Sequence, residues 1–154
     1  MEGGPPVATP HPADDDVLSH VGYRLKRAHA ALRGAMDKAL REHGLTVPQY
    51  ACLEVLAARP GMSNADLARA TFVTRQSMNV VMRGLETTGL IGRPETVESG
   101  RARPTRLTTE GRRVLEAAQE AVYAIEARMT RAIAPHRLAG LLEDFDRMAQ
   151  ALEE

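Results

Sequence analysis

Residues 63–107, SNADLARATFVTRQSMNVVMRGLETTGLIGRPETVESGRARPTRL, read as two short helices joined by a tight turn and followed by an arginine-studded hairpin. Ser63 can cap the first helix with its hydroxyl, and Asp66, three residues on, completes a capping box and suits the positive helix end. Ala65, Leu67, Ala68 and Ala70 give that helix a compact apolar side that a second helix can cross closely. Phe72 and Val73 make an apolar turn, and Thr74 then offers a second N-cap with Ser77 at N3. This is the layout of a winged helix-turn-helix.

In the second helix Met78, Val81, Met82 and Leu85 recur at helical spacing and define a stripe to be buried. The other face carries Arg75, Gln76, Asn79, Val80 and Arg83. Arginine pairs bidentately with guanine, asparagine and glutamine with adenine, and valine can meet a thymine methyl, so this face suits a major groove. On an isolated helix such a face is ordinarily just solvated. The capped helix before it and the basic hairpin after it turn the expectation toward double-stranded DNA.

Gly89 is placed to end the helix in a left-handed conformation. Leu90 and Ile91 are expected to pair with the segment from Thr105 to Leu107, leaving residues 95–102 as a loop with Gly100 at its turn. Pro104 cannot donate to a ladder, which puts its strand at an edge. Arg101 and Arg103 near the tip could enter a minor groove, where negative potential concentrates. Glu95 and Glu98 leave open a loop that only aids solubility.

The formal net charge is zero, from 20 Lys and Arg against 20 Asp and Glu. The charge is unevenly spread. Residues 63–106 carry seven arginines against Asp66, Glu86, Glu95 and Glu98, whereas residues 1–20 hold four acids and no Lys or Arg. A basic face backed by an acidic, solvated remainder fits a polyanionic partner.

Residues 1–15, rich in Pro, Gly and acid, lack a burial pattern and are expected to form a flexible arm. An amphipathic helix is expected from about Asp16 to Glu42, stopped near Gly44, and a second from Thr46 to Ala58, ended by Pro60 and Gly61. Beyond the hairpin, Thr109 to about Ala134 forms a long helix and Pro135 to Leu152 the last. The last carries Leu138, Leu141, Leu142, Phe145 and Met148, a stripe that intramolecular packing covers in part. The rest is expected to meet Leu18, Val21 and Leu25 of a second copy across a twofold axis. A helix-turn-helix needs two copies to read a palindrome whose half-sites lie roughly 10 base pairs apart. The fold class is therefore mainly α with a small β-hairpin wing: residues 46–108 form the winged helix-turn-helix, and residues 16–45 and 109–154 the dimerisation helices.

These residues resemble the MarR (multiple antibiotic resistance regulator) family of bacterial transcription factors. The likeness covers nearly the whole chain after about residue 15, including the run GLIGRPETVESGRARPTRLTTEGRRVLE. It implies that Ser63 opens the first helix of the motif, that Thr74 to Thr87 form the recognition helix, and that Arg101 is the wing-tip arginine. Where most relatives carry an aspartate two residues before that arginine, this chain has Ser99, which can accept a hydrogen bond only without charge. The resemblance further implies an intertwined homodimer, usually a repressor of palindromic operators. A small, often anionic or phenolic effector would release it from a cleft between the dimerisation helices and the DNA-binding lobe. His20, Arg24 and Tyr50 are candidates to line such a cleft.

Other chemistries find less support. Cys52 is the sole cysteine, between Ala51 and Leu53 of an apolar helix, and is expected to behave as a small buried hydrophobe. A redox regulator acting through Cys52 would require an exposed, electropositive thiol. The five histidines form no close pair that would bind zinc, and no cofactor is expected. No catalytic motif is present, which argues against an enzyme. A winged-helix protein-interaction module without DNA readout would call for an acidic recognition face, against Arg75 and Arg83. Without an apolar run of about 18 residues or a charged-then-apolar leader, the expectation is a cytoplasmic protein with no membrane contact.

Overall fold

The computed structural model describes residues 16–92 and 104–153. Its order is α1 (Val21–Arg41), α2 (Val47–Ala58), α3 (Asn64–Ala70), α4 (Arg75–Thr87), β1 (Ile91–Gly92), β2 (Arg106–Leu107), α5 (Thr109–Thr130) and α6 (Pro135–Glu153). The strands pair antiparallel with Ile91 opposite Leu107 and Gly92 opposite Arg106, so the expected hairpin forms with Leu90 and Thr105 just outside its two-residue strands. No helix among the described residues is long and apolar enough to cross a membrane.

The first helix differs from its sequence pattern. A short 3-10 turn, Val17–Ser19, precedes α1, and His20 between them is extended at φ −65 and ψ 141, as is Asp16 before the turn at φ −66 and ψ 100. Asp16 explains the break: its carboxylate accepts from Leu18 N at 3.0 Å and its carbonyl from Ser19 Oγ at 2.7 Å, local bonds that compete with a continuous helix. The long helix α5 likewise stops at Thr130, four residues earlier than its pattern. Pro135 starts α6, where its missing N–H costs nothing.

Thr46 caps α2 by a reciprocal box: Gln49 N donates to its hydroxyl at 3.3 Å, and its own N–H donates to Gln49 Oε1 at 3.0 Å. The core that seats α3 and α4 is aliphatic, with Leu40, Cys52, Leu53, Leu56, Leu67, Met78 and Leu85 completely enclosed. Met78, Met82 and Leu85 are the buried stripe expected of α4, and Val81 is half-buried beside them.

Two helix ends in this region use one hydrogen-bond pattern. At the end of α4, Gly89 N donates to Glu86 O at 3.0 Å and Leu90 N to Leu85 O at 3.0 Å, with Gly89 left-handed at φ 74. At the end of α3, Phe72 N donates to Arg69 O at 3.4 Å and Val73 N to Ala68 O at 3.0 Å, with Phe72 at φ 58. Such a backbone costs an L residue with a Cβ roughly 1 kcal/mol.

The junction of wing and α5 is close. Thr108 donates from its N–H to Leu90 O at 3.0 Å and from its hydroxyl to Gly89 O at 2.6 Å. A Cβ at Gly111, in the first turn of α5, would lie 1.9 Å from Leu90 O, so only glycine fits.

Helix α6 stands apart. It has no buried residue, and Leu142 and Phe145 are 56% and 41% exposed. Within the single chain the stripe is covered only in part. Leu138, Leu141 and Met148 are half-buried, while Leu18, Val21 and Leu25 at the other end of the chain are exposed.

Candidate nucleic-acid interface

The helix-turn-helix is held by capping side chains. Ser63 Oγ accepts from Asp66 N at 3.1 Å and donates to Asp66 Oδ2 at 2.8 Å. Asp66 therefore reaches the Ser63 hydroxyl and not its backbone amide, so the expected capping box is one-sided. The Ser63 hydrogen bond, with the Arg69 guanidinium beside it, holds the Asp66 carboxyl below the usual carboxylate range. Thr74 Oγ1 accepts from Ser77 N at 3.0 Å and donates to Ser77 Oγ at 2.9 Å, which starts α4 as its sequence indicates.

On α4 the structure brings Thr74, Arg75, Gln76, Ser77, Val80 and Arg83 to the exposed side, opposite Met78, Met82 and Leu85. Neither Arg75 nor Arg83 has an ion-pair partner among the described residues. Two unneutralised guanidiniums on one helix face are available to phosphate or guanine. Arg106, on β2, is also exposed. Arg101 and Arg103, with Ser99 and the loop of residues 95–102, lie outside the described residues, as does the arm of residues 1–15.

Asn79 departs from the sequence reading. It is half-buried, and its Oδ1 accepts from Asn64 Nδ2 at 2.9 Å. Its amide donors remain available, but the acceptor half of an adenine pairing is already engaged within the protein. Asn64 was not a candidate in the sequence, since its partner lies fifteen residues away and no local spacing signals the pair.

The candidate effector residues stand in different settings. Tyr50 is 3% exposed, and its hydroxyl donates to Glu54 Oε1 at 2.6 Å, while Gln119 of α5 donates to the same oxygen at 3.5 Å. Burial first, then the Glu54 carboxylate, pushes the Tyr50 phenol well above its ordinary value. His20 holds the N-cap position of α1 without a side-chain capping bond, and Arg24 is exposed in its first turn. A cavity of about 270 Å³ instead opens between α1 and α5, lined by Ala28, Ala31, Leu32, Ala35, Ile125, Arg128 and Met129. None of His20, Arg24 and Tyr50 lines it.

Cys52 is fully enclosed, its Sγ 3.6 Å from Met82 Sδ, and burial pushes the thiol up to about 11. A protonated, enclosed thiol is a poor nucleophile toward peroxide. Among the described residues no group of His, Cys, Asp or Glu is gathered to hold a metal.

The model of the MarR family matches residues 43–102. The HTH-type transcriptional repressor Rv2887 of Mycobacterium tuberculosis is 43% identical over 91% of this chain and 96% of its own length. The chain belongs to the MarR family. Two solved structures of Rv2887 share the fold: its complex with salicylic acid (TM-score 0.68, 40% identity, 91% of this chain and 98% of that one) and its complex with DNA (TM-score 0.66, 36% identity, 88% and 99%). This MarR protein is a DNA-binding transcriptional repressor and not an enzyme, with a mainly helical fold and a small hairpin wing.

Proposed function

We propose that the repressor acts in the cytoplasm as a homodimer, each protomer setting α4 into the major groove of one half of a palindromic operator, and that a small aromatic carboxylate releases it. The exposed face of α4 carries the reading: Arg75, Gln76, Ser77, Val80 and Arg83 stand together beside Asn79, with both cations unpaired among the described residues. Bidentate arginine, the glutamine amide and the valine methyls supply base contacts, while Ser63, Thr74 and the wing arginines Arg101 and Arg103 position the backbone. In this reading residues 46–108 are the DNA-binding unit, and residues 16–45 and 109–154 join the protomers.

The uncovered side chains of α6 and of the chain's beginning support the dimer. A single protein seldom leaves Leu18, Val21, Leu25, Leu142 and Phe145 in water without a partner. For the effector, the cavity between α1 and α5 offers apolar walls and the Arg128 guanidinium, a combination suited to an aromatic ring with a carboxylate. The similarity to a repressor solved with salicylic acid supports the same class. The anion partner then moves from the sequence candidates His20, Arg24 and Tyr50 to Arg128.

Enrichment of random duplexes on the full chain tests this reading, followed by anisotropy titrations with salicylate. Selected duplexes should be inverted repeats, salicylate should release the native protein, and Arg128→Ala should stay bound. Enrichment of no duplex, or of unsymmetrical ones only, would sink it.

A further inference from the structure

We propose that Phe72, at the corner between α3 and α4, is a DNA-contacting residue whose ring meets a thymine methyl of the operator and adds to its specificity. The first observation is exposure. Phe72 is 95% exposed, more than any other large hydrophobic side chain described, so the fold gains nothing from burying its ring. The second is backbone conformation. Phe72 is the only non-glycine among the described residues with positive φ, at 58.

The helix end it forms is the one that closes α4 at Gly89 and, in the same pattern, α1 at Gly44, where Gly44 N donates to Arg41 O at 3.1 Å and Leu45 N to Leu40 O at 3.0 Å. Those two ends use glycine, which adopts the conformation without strain. At the third the chain carries its bulkiest kind of apolar side chain, held in a strained backbone and turned to water. A position that glycine would fill better, given to an unpacked phenylalanine, indicates a contact made outside the chain.

The neighbourhood names the partner. Phe72 lies two residues before the cap Thr74 and three before Arg75, so it continues the surface that carries the exposed Arg75 and Gln76. Arg69, also exposed and ion-paired to Asp66, precedes it by three residues. A ring next to Arg75, unpaired among the described residues, at the leading end of a recognition helix, fits a polyanion with apolar groups at its base edges. Phenylalanine reads the thymine methyl by apolar contact. The proposal rests on the reading of α4 as the groove-entering helix.

The test compares the native chain with Phe72→Gly on a duplex selected by the native chain from a random library. Phe72→Gly should melt at the same temperature or higher and bind that duplex about tenfold more weakly. Replacing each thymine in turn by uracil, which lacks only the methyl, should weaken the native chain several-fold at one position per half-site and leave Phe72→Gly unaffected there. A native chain that selects no duplex removes the groove reading and the contact together. Given a selected duplex, equal binding by both proteins overturns the contact alone, as does the absence of any thymine where they differ. Unchanged duplex binding with repression lost in transcription by purified polymerase would assign the ring to a protein partner and also overturn it. Melting of Phe72→Gly below the native chain would show the ring packing within the fold, with the same consequence.

Discussion

Asn64 Nδ2 donates to Asn79 Oδ1 across 2.9 Å, tying the first turn of α3 to α4. The bond engages the Asn79 oxygen, and no hydrogen bond within the described residues occupies its amide donors. Asn79→Ala should therefore cost about 1–3 kcal/mol on the selected duplex and little on a scrambled one. Asn64→Ala and Asn79→Ala should share a stability loss of about 1 kcal/mol by urea unfolding. Equal losses on both duplexes would remove Asn79 from base readout.

Gly111→Ala tests the junction of the wing with α5. The added methyl would collide with Leu90 O at 1.9 Å, a backbone atom that cannot turn aside. Shifting the start of α5 should cost about 3 kcal/mol, measured by thermal or urea unfolding. A variant as stable as the native chain would mean that the two segments are not so closely apposed.

Leu142→Asp with Phe145→Asp puts two charges on the exposed stripe of α6. No residue of this helix is buried in the single chain, so the core around Leu53 and Met78 should keep its structure by circular dichroism. In a dry interface two carboxylates would cost several kcal/mol, so the protein should sediment as a monomer and lose the inverted repeat. A dimer that still binds the repeat tightly would place the α6 stripe outside the interface.

Cys52 sets a pH dependence with a definite sign. Burial pushes its value from 9.0 in the unfolded chain up to about 11 in the fold, so the folded state favours the protonated thiol. That contribution is complete below the unfolded value and is lost as pH rises through the folded one. Native stability should fall, relative to Cys52→Ala, by on the order of 3 kcal/mol between those limits. Parallel pH profiles for the two proteins would contradict the burial, as would ready labelling of the native thiol by Ellman's reagent near neutral pH.

Much of the architecture is local and was legible in the residues. Ser63, Thr74 and Thr46 announce helix starts because a capping hydroxyl acts within three residues, and the spacing of Met78, Met82 and Leu85 shows which side of α4 is buried. The polar face of α4 followed as the remainder. Gly89 was legible for the same reason: its left-handed conformation is set by its own backbone.

Tertiary structure decided whatever depends on residues distant in sequence. It engaged the Asn79 acceptor through Asn64, enclosed Tyr50 with its hydroxyl on a Glu54 carboxylate that Gln119 also meets, and opened a cavity beside Arg128 that none of His20, Arg24 and Tyr50 lines. It also left α6 only partly covered by its own chain, where the apolar stripe alone could have served a core or an interface equally well. Periodicity tells which side of a helix avoids water. What covers that side, and which polar atoms are already paired, depends on how the helices cross, and no spacing along one strand of sequence encodes that directly.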